Sequence, residues 1–167
     1  LNVQQEIKPG LMAEVGYVGN HMVKARRQRN LNQIINGVRP YSGFASITLF
    51  EEAGSSTYNA LEARLEGRVT RGLRFTSTYT WGHAIDDRPS TKVQDNTNMH
   101  AERADSDFDV RHRWTVNGVY NIPSSYAQSY GRFARSILSG WSFSGISMFQ
   151  GGRPFSVMIP QDISGAG

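Results

Sequence analysis

The sequence predicts an all-β fold, an antiparallel up-and-down meander, and three observations carry that prediction. Several stretches alternate between apolar and polar residues with a period of two, as strands with one apolar and one wet face do. The connections between them swing between very short and long. Aromatic residues stand toward the ends of the apolar faces. Together these describe a partial segment of a transmembrane β-barrel. A tilted strand of about 9–11 residues crosses a bilayer, aromatics ring both interfaces, and charges are left for a watery lumen.

Composition agrees. Hydrophobic residues make up 38% of the 167, and mean hydropathy is −0.46, low for a soluble globular core. No apolar run is long enough for a membrane helix, but a barrel strand gives only alternate residues to lipid. The absence of cysteine excludes disulfides and thiolate metal sites. Net charge is +4 and the isoelectric point about 9.6. The positive charge is spread along the chain, and its one dense run, Lys24 to Arg29, reads as a solvated loop or a lipid-headgroup contact rather than a nucleic-acid site. The chain starts at Leu1 without a signal peptide and ends at Gly167 without a closing strand, so a piece of a longer protein is expected.

Taken in order, residues 1–10 read as a strand closed by Pro9-Gly10. A strand near 11–19 turns Leu11, Ala13, Val15 and Tyr17 one way and ends at Gly19-Asn20. Residues 20–57 form a long polar outer loop holding Asn30, Asn32, Gln33 and Asn36, with Ile47–Phe50 as a short extra strand and Gly54–Thr57 as a turn. The strand at 58–69 sets Leu61, Ala63, Leu65, Gly67 and Val69 against Glu62, Arg64, Glu66 and Arg68. Thr70-Arg71-Gly72 turns the chain, Gly72 tolerating positive φ. The strand at 73–82 sets Leu73, Phe75, Ser77, Tyr79 and Trp81 against Arg74, Thr76, Thr78 and Thr80.

Residues 83–110 are a second long, acidic outer loop. The strand at 111–122 sets His112, Trp114, Val116, Gly118, Tyr120 and Ile122 against Arg111, Arg113, Thr115 and Asn117, and Pro123 stops it. A short helix is expected around 131–138. Strands at 141–150, with Trp141, Phe143, Gly145, Ser147 and Phe149 on one face, and at 155–159 complete residues 1–167 as one partial barrel domain.

Short turns on one side and long loops on the other orient the meander, because bacterial barrels keep their short turns in the periplasm. Tyr79, Trp81, Trp114 and Phe149 then fall at the outer lipid interface, and Tyr120 and Trp141 at the periplasmic one. Glu62, Arg64, Glu66, Arg68, Arg74, Arg111 and Arg113 face the lumen. A rival of the same fold is a passive porin. A rival of another class, a soluble carbohydrate-binding β-sandwich, would bury Tyr79, Trp81, Trp114 and Trp141 between two sheets.

No catalytic, cofactor or metal site emerges. Asp105-x-Asp107-x-Asp109 begins like a calcium loop but has Val110 and Val116 where Gly and Glu belong. His21, His83, His100 and His112 lack metal-ligand spacing, and no nucleophile motif, P-loop or dinucleotide fingerprint occurs. The chain reads as a non-enzyme.

Several phrases resemble the barrel of TonB-dependent outer-membrane receptors, the Oar-like ones above all. They are EVGYVGN (14–20), RQRNLNQ (27–33), the stretch from Tyr41 to Asp87, AERADSDFDVRHRWTVNGVYNIP (101–123) and GWSFSGISMFQGGRPFSV (140–157). The resemblance implies a 22-stranded barrel, of which five to seven strands are present here. It also implies an N-terminal plug and a TonB box outside this chain, and active uptake of a large or scarce substrate: a siderophore, cobalamin, glycan or peptide. Outer-membrane lipid, the protein's own plug, the TonB complex and the substrate are the implied partners. The lumen charges would meet water or the plug. Asp86, Asp87, Glu102 and Arg103 are the candidate substrate-facing loop residues.

Overall fold

A computed structural model describes residues 1–70, 72–88, 93–123, 131, 133, 137 and 140–157. Strands β1 (Asn2–Lys8), β2 (Leu11–Asn30), β3 (Thr48–Thr70), β4 (Leu73–Asp86), β5 (Ala104–Asp105), β6 (His112–Asn121) and β7 (Ser142–Gln150) build one sheet. Its order is β1-β2-β3-β4-β6-β7, with the short β5 also on β4. Neighbours in sequence are neighbours in the sheet, and each registered pair is antiparallel, which is the expected meander. Among the described residues no helix is long and apolar enough to cross a membrane.

The chain divides into two compact units. One comprises residues 1–18, 60–81 and 111–151; the other, 19–59, 82–110 and 152–167. The first holds the short connections. Gly10 (φ 79°) and Gly72 (φ 101°) occupy the left-handed region, where a side chain is strained. Gly72 accepts the backbone N–H of Asn121 at 2.9 Å, and an added Cβ there would collide with the Asn121 carbonyl. Arg71 lies outside the described residues.

The second unit corrects the expected boundaries. β2 does not stop at Gly19-Asn20 but runs to Asn30, and β3 starts at Thr48 rather than near 58. The outer loop expected over 20–57 therefore shrinks to 31–47. Ile47 precedes β3, while Gly54–Thr57 lies inside it and is no turn. Likewise β4 runs to Asp86, so the loop expected from 83 starts later. The physical reason is that Arg27 and Arg29 have partners across the strands. Arg27 Nε hydrogen-bonds Glu51 at 2.8 Å, Arg29 forms an ion pair with the same carboxylate at 3.1 Å, and the Arg26 guanidinium sits 4.3 Å above the Phe50 ring. The basic run is thus strand, not loop. Its irregularity is Lys24, with φ at 58°, a conformation that costs a non-glycine residue about 1–2 kcal/mol.

Residues 155–157 carry no strand, while 158–159 lie outside the described residues. So does most of the 131–138 segment expected to be helical.

Gly82, on β4, is required by close approach. The Tyr58 ring lies across it, and an added Cβ would stand 2.8 Å from the Tyr58 hydroxyl and 3.1 Å from the ring. Gly82→Ala is expected to cost about 1–3 kcal/mol. In a Tyr58→Ala background the same change should cost almost nothing, a coupling that urea titrations of the four proteins will reveal.

Candidate functional site

The first unit is a wall with two chemically distinct faces. Directly opposed residues of antiparallel strands share a face. Tyr79 pairs with Trp114, and Trp114 with Phe149, forming one aromatic row across three strands. Trp114 and Phe149 stack at 5.5 Å, the Trp114 indole N–H donates to Ser77 Oγ at 2.9 Å, and the Tyr79 hydroxyl lies 2.8 Å from His112 Nδ1. Trp81 pairs with His112 beside that row.

Toward the short connections, Leu73, Tyr120 and Phe143 form a second row, with Trp141 stacked 6.5 Å from Phe143. Between the rows lie Phe75, Ser77, Val116, Gly118, Gly145 and Ser147. Trp114 and Tyr120 are six residues apart, about 20 Å along a strand, an interval close to the height of an apolar membrane band once tilt and side-chain length are counted. Tyr79, Trp81 and Trp114 on the sheet, and Trp141 just before β7, are 40–56% exposed. The buried rings that a β-sandwich demands are not found.

The opposite face is polar. Arg74 pairs with Val119, Thr76 with Asn117, Thr78 with Thr115 and Thr80 with Arg113. Glu62 and Arg64 line a recess of about 780 Å³ together with Asn2, Glu14, Thr76 and Thr78. Glu66, Arg68 and Arg74 line another of about 570 Å³, which also takes in Leu11 and Phe75. Arg64 bonds Glu66 at 2.6 Å with both side chains nearly half exposed, a solvated pair worth under about 1 kcal/mol. Arg113 shares this face by register, whereas Arg111 precedes β6. The alternation weakens in β7, where exposed Ile146 and Met148 stand opposite Asn117 and Thr115.

The second unit is held by polar rather than apolar burial. Asn32 is fully buried. Its Nδ2 donates to the carbonyls of Tyr41 (3.0 Å) and Phe44 (2.6 Å), and its Oδ1 accepts the Tyr41 N–H at 2.8 Å. Asn30 Oδ1 accepts the N–H groups of Asn32 and Ile47, each at 3.0 Å. Gln33 reaches into the other loop: its Nε2 donates to the Gln94 carbonyl at 2.5 Å, and its Oε1 accepts the Asn96 N–H at 2.8 Å. The loop 31–47 also contains a two-residue turn, Asn36-Gly37, both with positive φ, closed by reciprocal bonds between Ile35 and Val38.

Carboxylates pin the loop that follows β4. Asp86, 8% exposed, accepts the Ser106 hydroxyl at 2.5 Å and the Arg88 N–H at 3.0 Å. Asp109, 3% exposed, accepts the Ala84 N–H at 2.7 Å. Glu102, on the 3₁₀ turn Met99–Glu102, accepts the Gln94 N–H at 2.6 Å. Asp87 accepts the Ser55 N–H at 2.6 Å and lies 3.8 Å from Arg27. Asp86 and Glu102, expected to face substrate, are therefore turned inward as anchors, and Asp87 is half-buried; Arg103 is exposed. A buried polar group left without a partner is costly, which is why the carboxylates of Asp86, Asp109 and Glu102 each accept a hydrogen bond from a backbone N–H or a hydroxyl. At the loop's surface, the Thr97 hydroxyl and N–H hold the Asp95 carboxyl below its ordinary range. A depressed pKa supplies stability above the ordinary aspartate value and loses it as pH falls through the lowered one, so this turn should loosen only in strong acid.

Composition did not single out Asn30, Asn32, Gln33, Ser106 or Asp109 as anchors. They lie inside two of the phrases quoted above, 27–33 and 101–123, and the first of these stands beside an Asn-Gly turn. A family model for an outer membrane beta barrel domain matches residues 1–167. No curated protein and no solved structure matches the chain.

Proposed function

Because the chain belongs to the outer membrane beta barrel domain family and so forms barrel wall in the bacterial outer membrane, we propose that it is part of a TonB-dependent receptor of the Oar-like kind. One observation supports this reading above the others. The phrases RNLNQ, HAIDD and SDFDV, which carry the resemblance, supply the residues of the buried polar network: Asn30, Asn32, Gln33, Asp86, Ser106 and Asp109. A receptor that recognises a scarce substrate needs outer loops fixed in advance, since ordering them on binding would cost affinity.

In this reading the face with Tyr79, Trp81, Trp114 and Phe149 meets lipid. The face with Glu62, Arg64, Arg68 and Arg74 lines the lumen and meets water and the plug. Exposed Tyr41, Phe44, Arg103 and Phe108 form the substrate-contacting surface. The substrate belongs to the siderophore, cobalamin, glycan or peptide class, and release into the periplasm is driven through the TonB complex.

The test is uptake by cells carrying the full-length gene. A panel of ferric siderophore, cobalamin and oligosaccharide is offered before and after the proton gradient is collapsed. At least one member should accumulate only in energised cells. Accumulation that survives collapse would identify a passive porin instead.

A further inference from the structure

The loop after β4 brings an imidazole and two carboxylates together that are scattered in sequence. One donor atom each from His83, Asp105 and Asp109 lies within 4.8 Å of the others. We infer that these three residues form a site for a first-row divalent cation of the Zn²⁺ class.

The donor set selects the metal. Sequence spacing suggested calcium through Asp105, Asp107 and Asp109, and lacked the residues calcium needs. In the folded chain Asp107 is outside the cluster and His83 is in it. An imidazole nitrogen with two carboxylate oxygens suits Zn²⁺ and its neighbours better than calcium, which takes oxygen alone.

The geometry fits. Zn²⁺ sits about 2.0–2.2 Å from such donors, so donors of a tetrahedral site stand about 3.3 Å apart. His83 Nε2 and Asp105 Oδ1 are 2.8 Å apart, and all three donor atoms lie within 4.8 Å of one another, so shifts of an ångström or so at the side-chain ends complete the site.

The backbone holds these donors in place. His83 lies on β4 two residues from Ile85, the partner of Asp105 on β5, so His83 and Asp105 share a face. The Ser106 N–H donates to the Ala84 carbonyl at 2.9 Å, and the Asp109 N–H to the Ser106 carbonyl at 2.7 Å. The Ala84 N–H fixes one oxygen of Asp109 at 2.7 Å. Asp109 is almost fully buried, whereas the side chains of His83 and Asp105 are 34% and 43% exposed. The site is therefore closed beneath and open to solvent, three protein ligands with a position left for water. Without metal, His83 and Asp105 bond each other. With it, both turn onto the cation, which clamps residues 104–110 to β4.

The experiment uses the full-length protein extracted from outer membranes, stripped with a chelator and titrated calorimetrically with Zn²⁺ alone. One equivalent per chain should bind, weakened at least tenfold in His83→Ala and in Asp105→Asn, and unchanged in His100→Ala, an exposed imidazole of the same loop. Zn²⁺ should also slow proteolysis within 104–110 in wild type and not in the two weakened variants. Both lesions are at partly exposed side chains, and retention of the compact band in cold detergent gels verifies that each variant is folded. Equal Zn²⁺ affinity in wild type, His83→Ala and Asp105→Asn, or no Zn²⁺ bound by wild type, would overturn the inference.

Discussion

Val116→Arg is expected to destabilise the membrane-inserted protein by about 2–4 kcal/mol, the cost of a cation facing lipid at mid-depth. Val116 lies between Ser77 and Ser147, midway between the Tyr79-Trp114-Phe149 row and the Leu73-Tyr120-Phe143 row. The next residue, Asn117, points the other way, opposite Thr76 and Ile146. Asn117→Arg should change stability by less than about 0.5 kcal/mol, as exposed substitutions away from special features usually do. The two variants carry the same charge one residue apart, so net charge and strand propensity cancel in the comparison. Reversible urea unfolding in lipid bilayers gives both values.

Asn32→Leu is the second large effect. The change keeps the size of the side chain but strips three hydrogen bonds from a site without solvent access. The Tyr41 N–H and the carbonyls of Tyr41 and Phe44, all part-buried, lose their side-chain partner, at about 1 kcal/mol for each bond. Because the three losses share one side chain they will not simply add, and about 3 kcal/mol is expected for the loop 31–47. A cost of that size raises the open fraction about a hundredfold, which cleavage within 31–47 by a protease added outside the cell will report. Insertion in the outer membrane should be retained, because no residue of the first unit's sheet is altered.

The wall was legible in the sequence because a single period governs it. Side chains alternate strictly from Leu73 to Trp81 and from His112 to Tyr120, and the observed register aligns the two apolar sets residue for residue. The loop-side halves of β2 and β3 were not legible, for reasons visible at particular residues. Lys24 in the left-handed region interrupts the alternation of β2. Gly54 reads as a turn residue, yet it is small because an added Cβ would stand 2.8 Å from the Arg88 side chain and 2.9 Å from the Ala25 carbonyl. Glycine there answers a close approach of neighbouring groups and marks no reversal of the chain.

The polar network hid for a related reason. Asp86, Asp87 and Glu102 are charged residues in a loop, and composition alone assigns such residues to solvent or substrate. Burial beside Ser106, Ser55 and the Gln94 N–H is a property of tertiary contacts twenty, thirty-two and eight residues away in sequence. The Asn36-Gly37 turn was the one local signal available, and it marks where the loop 31–47 folds back.

A sheet with one face toward lipid and the other toward water can be read position by position along a single strand. The chain contains no cysteine, so single cysteines placed in turn at residues 73 to 81 each offer one attachment point for a nitroxide spin label. In the full-length protein in bilayers, with any cysteine outside residues 1–167 replaced by serine, labels at 73, 75, 77, 79 and 81 should relax readily with oxygen, which concentrates in lipid, and weakly with a water-soluble nickel chelate. Labels at 74, 76, 78 and 80 should show low oxygen accessibility in the opposite phase. Accessibility without a period of two along these nine positions, or with the phases reversed, would contradict the account.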